Sequence, residues 1–329
     1  MERWCGVLRV SLDSNGAGPF FKVGASLLLS PSSQTLGVPS VNAIFFNGDR
    51  VERTGNPVIE RLSDPDHIAQ VLVSKFGSTA NTWVVGVSSS TGPFTVYKEF
   101  VPSVDQCGDP KCYDPRGLPA LTSTAVIIAK CVHEFRTMIS KRQTGPRTSD
   151  MHFPPSPTSR PKTIMLGFSK GGIVINQILA ELAHMTPEST GILTGSRELS
   201  LDARHTMIDH ICPTSKEGLS SSISEVHYMD VGLNSSGAYL NNQTTIKKTL
   251  KYLLSYHAVI RFILHGTPRQ WSDKTRPWIQ KEKDILLQLL RTEAHDSEGR
   301  LQVKQRLYFD TMPPCLQMHF EIIEHLDVS

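Results

Sequence analysis

The sequence predicts an α/β fold in which helices cover both faces of a mostly parallel β-sheet. First, short apolar segments of strand length alternate with amphipathic helical segments from residue 41 onward. Second, an apolar run, Ile164–Leu166, leads through a glycine-containing turn into a segment with helical periodicity. Third, the length of 329 residues is sufficient for one large domain with a substantial core. We therefore predict a single domain over residues 1–329.

The turn after this run carries the pattern G-x-S-x-G, with Gly167, Ser169 and Gly171 at the fixed positions. In the segment that follows, apolar residues recur at i, i+3, i+4 and i+7 from Ile175. A strand, a sharp turn and a helix around this pattern make the nucleophile elbow of α/β-hydrolases, which exposes a serine hydroxyl at the end of a strand. G-x-S-x-G alone is a weak signal, so the flanking strand and helix carry the prediction. The sequence thus predicts an α/β-hydrolase fold with Ser169 as the nucleophile.

The other elements follow from the same periodicities. A turn signal between two apolar segments predicts an opening antiparallel pair of strands at 4–12 and 21–29. Further strands are predicted where short β-branched or aromatic runs end in polar turns, and helices where apolar residues recur at helical spacing. These strands begin near residues 41, 82, 225, 257 and 305, and the helices cover 63–76, 121–140, 244–255, 275–290 and 316–326.

Two polar stretches interrupt this alternation. Residues 143–161 are rich in Pro, Ser and Thr, which predicts a flexible surface insertion. Residues 187–224 are weakly periodic and lie between the elbow helix and the next strand, where a hydrolase carries its lid or cap. We expect both stretches to be parts of the single domain.

The composition favours a globular protein over a nucleic-acid-binding or membrane-spanning one. The formal net charge is only +3, and no basic run provides a nucleic-acid-binding surface. No apolar run approaches the ~20 residues of a membrane-spanning helix. The six cysteines are scattered, and no second Cys/His pair accompanies Cys107 and Cys112. We therefore expect an intracellular protein with reduced thiols and with neither metal nor cofactor.

Backbone donors for an oxyanion are expected in two places. Lys170, the residue after the nucleophile, supplies one N–H group. The second is expected in the loop after the third strand, where Asn47, Gly48 and Asp49 follow an apolar run. Gly48 is the expected donor, although a glycine is also common in an ordinary turn at a strand end. The Asp49 carboxylate would disfavour a developing negative charge if it faced the site.

The remaining catalytic residues should follow in the order acid, then histidine. Asp273 comes after the second strand beyond the elbow, the usual position of the acid, whereas Asp230 ends the first such strand. We prefer Asp273 and keep Asp230 as the alternative acid. His319 follows the last predicted strand and is the expected base. His325 lies within the last helix, and His265 precedes Asp273 and so breaks the usual order.

Five motifs occur in order over most of residues 41–320. They are Phe-Phe-Asn-Gly-Asp at 45–49, Gly-Phe-Ser-Lys-Gly-Gly at 167–172, His-Gly-Thr-Pro at 265–268, Arg-Pro-Trp-Ile at 276–279 and Pro-Pro-Cys-Leu-Gln-Met-His-Phe at 313–320. The set resembles a family of α/β-hydrolase-like proteins whose human member is named as an open reading frame of chromosome 2. The resemblance implies an α/β-hydrolase fold, a serine-esterase or lipase-like activity and a mitochondrial association. It supports Ser169 and His319, and it places Asp273 within a matching block.

The expected function is hydrolysis of an ester or thioester bond, with a small acyl ester or a lipid as the substrate. His319 would remove the Ser169 proton, and an acyl-enzyme would form and then be hydrolysed. The alternative is an inactive hydrolase fold that binds a protein partner, which Asp49 and the lack of a His-Gly sequence in the oxyanion loop favour. An acyltransferase would share the acyl-enzyme and differ only in its acceptor. We expect a mitochondrial location from the resemblance, and a cytoplasmic one if no presequence is present.

Overall fold

An eight-stranded β-sheet forms the centre of the protein in the computed structural model. The structure describes residues 2–13, 18–30, 35–49, 51, 54–86, 89–91, 94–142, 160–187 and 211–329. The strands of this sheet are β1 (Arg3–Ser11), β2 (Phe20–Leu28), β3 (Val41–Phe46), β4 (Asn81–Val85), β7 (Lys162–Phe168), β8 (Ile223–Met229), β9 (Ile260–Gly266) and β10 (Leu301–Leu307). A separate two-stranded ribbon consists of β5 (Ser89–Thr91) and β6 (Phe94–Val96).

The order of the strands across the large sheet is β1-β2-β4-β3-β7-β8-β9-β10. β2 runs antiparallel to both of its neighbours, whereas all strands from β4 to β10 in this order pair in parallel. The predicted opening pair is confirmed, with Trp4 opposite Leu27. A parallel sheet with this order and an antiparallel second strand is the α/β-hydrolase sheet, so the predicted fold class is confirmed.

Helices cover both faces of this sheet, as the alternation of elements predicts. They are α1 (Pro57–Arg61), α2 (Pro65–Phe76), α3 (Pro119–Arg142), α4 (Gly172–Leu182), α5 (Lys216–Ser222), α6 (Gln243–Tyr256), α7 (Pro268–Trp271), α8 (Pro277–His295) and α9 (Leu316–His325). Alternate strand residues such as Phe45 and Phe46 enter two different apolar clusters. α1, α2 and α9 contribute to the smaller cluster, and α3, α4, α6 and α8 to the larger. Among the described helices, none has both the length and the apolar content needed to cross a membrane.

A buried carboxylate joins α4 to the beginning of α3. The Glu181 carboxylate accepts the backbone N–H groups of Ala120 and Leu121, both at 2.8 Å. The first turn of α3 contains no acidic residue of its own, and its N–H groups have no partners within the helix. Glu181 therefore caps α3 from a neighbouring helix and fixes the position of the helix that follows the elbow.

The described part of the polar stretch at 187–224 lies at the amino ends of the parallel strands. Asn42 Nδ2, at the start of β3, donates a hydrogen bond to the Ile211 carbonyl oxygen at 2.9 Å. Thr163 Oγ1, at the start of β7, lies 2.7 Å from Ser222 Oγ. Because β8 is parallel to β7, the chain must return to this end before β8 begins. Residues 211–222 are therefore not a lid over the opposite edge of the sheet. The rest of the two polar stretches, residues 143–159 and 188–210, lies outside the described residues.

Sequence periodicity missed three short helices and displaced the last strand. α1, α5 and α7 were not predicted, and α7 begins at Pro268, the last residue of the His-Gly-Thr-Pro segment. β10 spans Leu301–Leu307 rather than 305–309. It is an edge strand whose only buried residue is Leu301, so its apolar alternation is weak.

Candidate active site

Ser169 lies at the sharp bend between β7 and α4. Its backbone φ is +52°, a conformation that residues with a side chain rarely adopt. One 3₁₀ turn, Ser169–Gly171, connects the strand to the helix. A Cβ atom at Gly171 would lie 2.1 Å from the Phe46 carbonyl oxygen, so only glycine fits beside β3. This local geometry is that of the predicted nucleophile elbow.

His319 and Asp230 form a hydrogen-bonded pair at the same edge of the sheet. His319 Nδ1 lies 2.7 Å from Asp230 Oδ2. The Asp230 carboxylate also accepts the Thr267 backbone N–H at 2.7 Å and the Thr267 hydroxyl at 2.8 Å. Phe168 packs on the imidazole, with ring centroids 4.6 Å apart. These contacts fix the imidazole ring, and they point Nε2 away from Asp230.

Ser169 and His319 line the same cavity, whose volume is about 180 Å³. Leu316 and Phe320 provide apolar surface in it, and polar side chains such as Gln270 complete the lining. A larger and more open depression of about 480 Å³ lies on α8, but neither serine nor cysteine lines it. The smaller cavity is therefore the candidate active site.

Asp273, the preferred acid of the sequence prediction, is not brought to His319. Its carboxylate accepts the Thr275 N–H at 2.8 Å, the Thr275 hydroxyl at 2.6 Å and Arg276 Nε at 2.8 Å. The Thr275 hydrogen bonds, and then the one from Arg276, lower the pKa of Asp273 to about 2. The acid prediction is thus corrected, because the carboxylate paired with His319 is that of Asp230.

The physical reason for this correction lies in two local features. α7 separates Asp273 from the end of β9, whereas Asp230 directly follows β8 with a φ of +45° that turns the chain at the strand end. Sequence reasoning also missed Thr267, whose two donors hold the Asp230 carboxylate. Its only sequence signal is its place directly after β9, at the carboxyl end of a parallel strand.

Gly48, in the loop after the third strand, packs directly against Ser169. A Cβ atom at Gly48 would lie 2.5 Å from Ser169 Cβ and 3.1 Å from Ser169 Oγ. The Gly48 N–H, however, donates to Oδ1 of Asn47 at 2.9 Å, so this donor is engaged in the described conformation. Lys170, the other expected donor, lies in the turn that leads into α4, where N–H groups lack partners within the helix.

The side chain of Lys170 is buried between two carboxylates. Its Nζ lies 3.4 Å from Asp49 Oδ1 and 3.4 Å from Asp109 Oδ1, and it donates to the Cys107 carbonyl oxygen at 2.7 Å. Asp49 also accepts the Thr95 N–H at 2.9 Å. The Asp49 charge, which the sequence suggested could oppose an oxyanion, is therefore held by a cation and a backbone donor. The same contacts fix the oxyanion loop relative to the elbow.

His265, a histidine outside the expected triad order, belongs to a buried chain of hydrogen bonds. His265 Nδ1 lies 2.8 Å from the Tyr308 hydroxyl, and His265 Nε2 lies 2.9 Å from Nδ1 of His227. His227 Nε2 lies 2.6 Å from Glu225 Oε1. One assignment satisfies every contact with both imidazoles neutral: Tyr308 donates to His265, His265 to His227, and His227 to Glu225. Burial, followed by the charges of His227 and Arg306, lowers the pKa of His265 well below its ordinary value.

We predict that His265 makes the fold less stable in acid. Because its pKa is depressed in the folded state, the unfolded chain binds the extra proton below its ordinary pKa of about 6.5. The folded protein thus keeps its full stability, as far as His265 affects it, above that pH. It loses stability as the pH falls below that value. We expect urea unfolding to show a loss in unfolding free energy of about 1 kcal/mol between pH 7.5 and 5.5 that is missing in His265→Gln. The exposed His325 is the control, and parallel curves for wild type and His265→Gln would contradict the prediction.

Metal ligands do not cluster in the described part of the chain. No group of three or more His, Cys, Asp or Glu side chains there could hold a metal ion.

Comparison with known proteins identifies the family. The C2orf69 family model matches residues 122–295, just over half of the chain, and this region contains Ser169 and Asp230. A mouse protein named mitochondrial protein C2orf69 homolog is 26% identical over 174 residues, which are 53% of this chain and 38% of that protein. Human mitochondrial protein C2orf69 is 26% identical over 176 residues, 54% of this chain and 36% of that protein. The match thus spans less than half the length of these relatives.

Solved hydrolase structures resemble the chain at low sequence identity. A siderophore hydrolase, EstA from Aspergillus nidulans, has a TM-score of 0.44 at 14% identity, and the match covers 98% of this chain and 94% of that one. A carboxylesterase from Lactobacillus plantarum has a TM-score of 0.40 at 13% identity, over 99% and 95% of the two chains. The fold assignment is based on the strand order of the sheet itself. The family model, in turn, confirms the resemblance seen in the sequence motifs: the chain belongs to the C2orf69 family.

Proposed function

We propose that this protein is a serine hydrolase that cleaves an ester or thioester bond in a small acyl compound or a lipid. The observation that supports this most strongly is the hydrogen bond between His319 and Asp230 beside a cavity that Ser169 also lines. A serine on a strained turn, an imidazole and an orienting carboxylate are the three parts of a nucleophilic triad. Ser169, His319 and Asp230 would thus be the catalytic residues.

In the proposed reaction Ser169 Oγ attacks the carbonyl carbon while His319 Nε2 takes the hydroxyl proton. Asp230 holds the imidazole orientation and stabilises the imidazolium. The oxyanion accepts the Lys170 N–H and, once Gly48 is released from Asn47, the Gly48 N–H as well. When the tetrahedral intermediate collapses, the bond between the carbonyl carbon and the leaving group breaks. The departing alkoxide or thiolate takes the proton from His319. Water then hydrolyses the acyl-enzyme by the same steps, which regenerates Ser169 and releases the acid.

A non-catalytic binding protein is the second candidate, and one specific observation favours it. The Gly48 N–H donates to the Asn47 side chain rather than pointing to an empty oxyanion position. If that bond persisted, the site would lack one of its two expected donors, and removal of one such donor costs roughly 10²–10³-fold in rate. In that case the cavity would bind a partner without turning over a substrate.

A fluorophosphonate probe distinguishes the two candidates. We expect it to phosphonylate the wild-type protein on one residue, which peptide mass spectrometry should identify as Ser169, and Ser169→Ala should remain unlabelled. Ser272→Ala is the matched control, since Ser272 is an exposed serine just after α7 and should not affect labelling. An unlabelled but cooperatively folded wild-type protein would refute the hydrolase proposal and favour the binding protein.

We also propose the mitochondrion as the compartment of this protein, because two relatives carry that location in their names. The matched region is less than half of those proteins, so the location is a proposal for this chain. Protease protection of the tagged chain in isolated mitochondria would test it, and a fully protease-accessible chain would refute it.

A further inference from the structure

Three cationic side chains line the candidate active-site cavity, and two of them are paired with carboxylates. They are Lys170, Arg269 and Arg276. Lys170 lies between Asp49 and Asp109, and Arg276 donates to Asp273. Among the described residues no carboxylate lies within ion-pair distance of Arg269, and its buried Nε has no hydrogen-bond partner. Among the described residues, Arg269 is therefore the one cation of this cavity without a counter-charge.

The neighbour of Arg269 in α7 has a second unpartnered group. Gln270 is only 4% exposed and lines the same cavity, and its Oε1 has no hydrogen-bond partner in the described part of the protein. A buried polar group without a partner is costly, typically by 1–3 kcal/mol. The Gln270 amide packs closely against Gly232, where a Cβ atom would lie 2.3 Å from Gln270 Oε1. Two adjacent residues thus present unsatisfied polar groups at one cavity wall.

We propose that Arg269 and Gln270 form a subsite for an anionic oxygen group of the substrate. A guanidinium binds carboxylate and phosphate oxygens with two parallel N–H donors, and the Gln270 amide can turn to donate or to accept. The subsite rests on the proposed hydrolase function, and it narrows the substrate to an acyl ester or thioester that carries a carboxylate or a phosphate. Because the cavity is only about 180 Å³, this anion lies a few bonds from the scissile carbonyl.

Asp273 acquires a role within this arrangement. Its hydrogen bond holds Arg276 and compensates its charge, so the anion is directed to Arg269 rather than shared between two arginines. The carboxylate that sequence reasoning placed in the triad thus compensates the charge of one of the two arginines in the cavity.

Matched pairs of esters test the subsite and identify which anion it takes. Monomethyl glutarate and methyl pentanoate differ by a carboxylate on the acyl side. 1-Butyrylglycerol 3-phosphate and 1-butyrylglycerol differ by a phosphate on the alcohol side.

For wild type we expect kcat/KM to favour the anionic member of one pair. In Arg269→Gln that anionic-to-neutral ratio should fall ~10- to 100-fold, as expected for the loss of a charge-assisted hydrogen bond. Lys274→Gln, which removes the same charge from an exposed neighbouring residue, should leave the ratio unchanged.

Binding to Ser169→Ala separates this inference from the catalytic proposal. Glutarate and glycerol 3-phosphate are titrated into Ser169→Ala and into Ser169→Ala/Arg269→Gln by calorimetry. Binding that Arg269→Gln weakens at least 10-fold supports the subsite even if wild type hydrolyses no ester and fluorophosphonate does not label it. Hydrolysis with equal anionic and neutral rates, together with no anion binding, would overturn the subsite and leave the hydrolase proposal standing. Equal binding to both variants would also overturn it.

Discussion

Asp230→Asn should lower the rate of fluorophosphonate labelling of Ser169 by ~10⁴-fold, the loss in kcat seen when the acid of a serine triad is replaced by its amide. Asp230 accepts a hydrogen bond from His319 Nδ1 and two from Thr267. An asparagine cannot accept all three, because its NH₂ group would face a donor. The imidazole would then adopt the tautomer with the proton on Nε2, which cannot accept the Ser169 proton.

Asp273→Asn is the matched control for this experiment. It makes the same chemical change in the other candidate acid, whose partners are Thr275 and Arg276. We expect its labelling rate to stay within about threefold of wild type, since no hydrogen bond or ion pair joins either partner to Ser169 or His319 among the described residues. The second-order rate constant of labelling is measured for both variants, and circular dichroism establishes that each is folded. If Asp273→Asn were the slow variant, the acid assigned from the structure would be incorrect.

Gly48→Ala should reduce labelling by ~10²-fold or more without unfolding the protein. The new Cβ would lie 2.5 Å from Ser169 Cβ and 3.3 Å from Phe168 Cδ1, so either the loop or the serine must move. A displacement of about 1 Å in a catalytic constellation typically costs 10²-fold in rate. The φ of Gly48 is not in the left-handed region, so alanine adds no backbone strain there, and the effect would come from the contact with Ser169.

Gly55→Ala provides the contrasting control. Gly55 has a φ of +67°, and a Cβ atom there meets nothing within 4 Å. Its substitution should cost about 1 kcal/mol of stability through backbone strain, yet leave the labelling rate unchanged. A Gly48→Ala protein that labels as fast as wild type would show that the oxyanion loop does not contact the nucleophile as described. Thermal unfolding of both variants separates a loss of folding stability from a loss of labelling rate.

Most of the fold could be predicted from the sequence, because it is encoded in local periodicity. The apolar run at Ile164–Leu166 and the recurrence of apolar residues from Ile175 define the strand and helix around Ser169. Signals of this kind depend only on neighbours in the chain. Where these signals are weak, the prediction was wrong. The exposed edge strand β10 was displaced in the sequence, and the short helix α7 was missed.

The partners of the candidate catalytic residues could not be predicted in the same way. The acid was chosen by its usual position in the chain, but the choice between Asp230 and Asp273 depends on which carboxylate reaches His319 across 89 residues of sequence. Likewise, the Asp49 charge appeared unfavourable until its contact with the buried Lys170 was known. Neither contact leaves a trace in local periodicity.

The sequence by itself determined the α/β-hydrolase fold, the position of Ser169 on its elbow and His319 as the expected base. Only the tertiary structure decided that Asp230 pairs with that histidine and that Asp273 pairs with Arg276. It alone also revealed that Arg269, in the cavity that Ser169 lines, has no counter-charge among the described residues. The reason is physical: strands and helices arise from interactions between residues close in sequence, whereas hydrogen bonds and ion pairs in a site join loops that meet only once the parallel strands lie side by side.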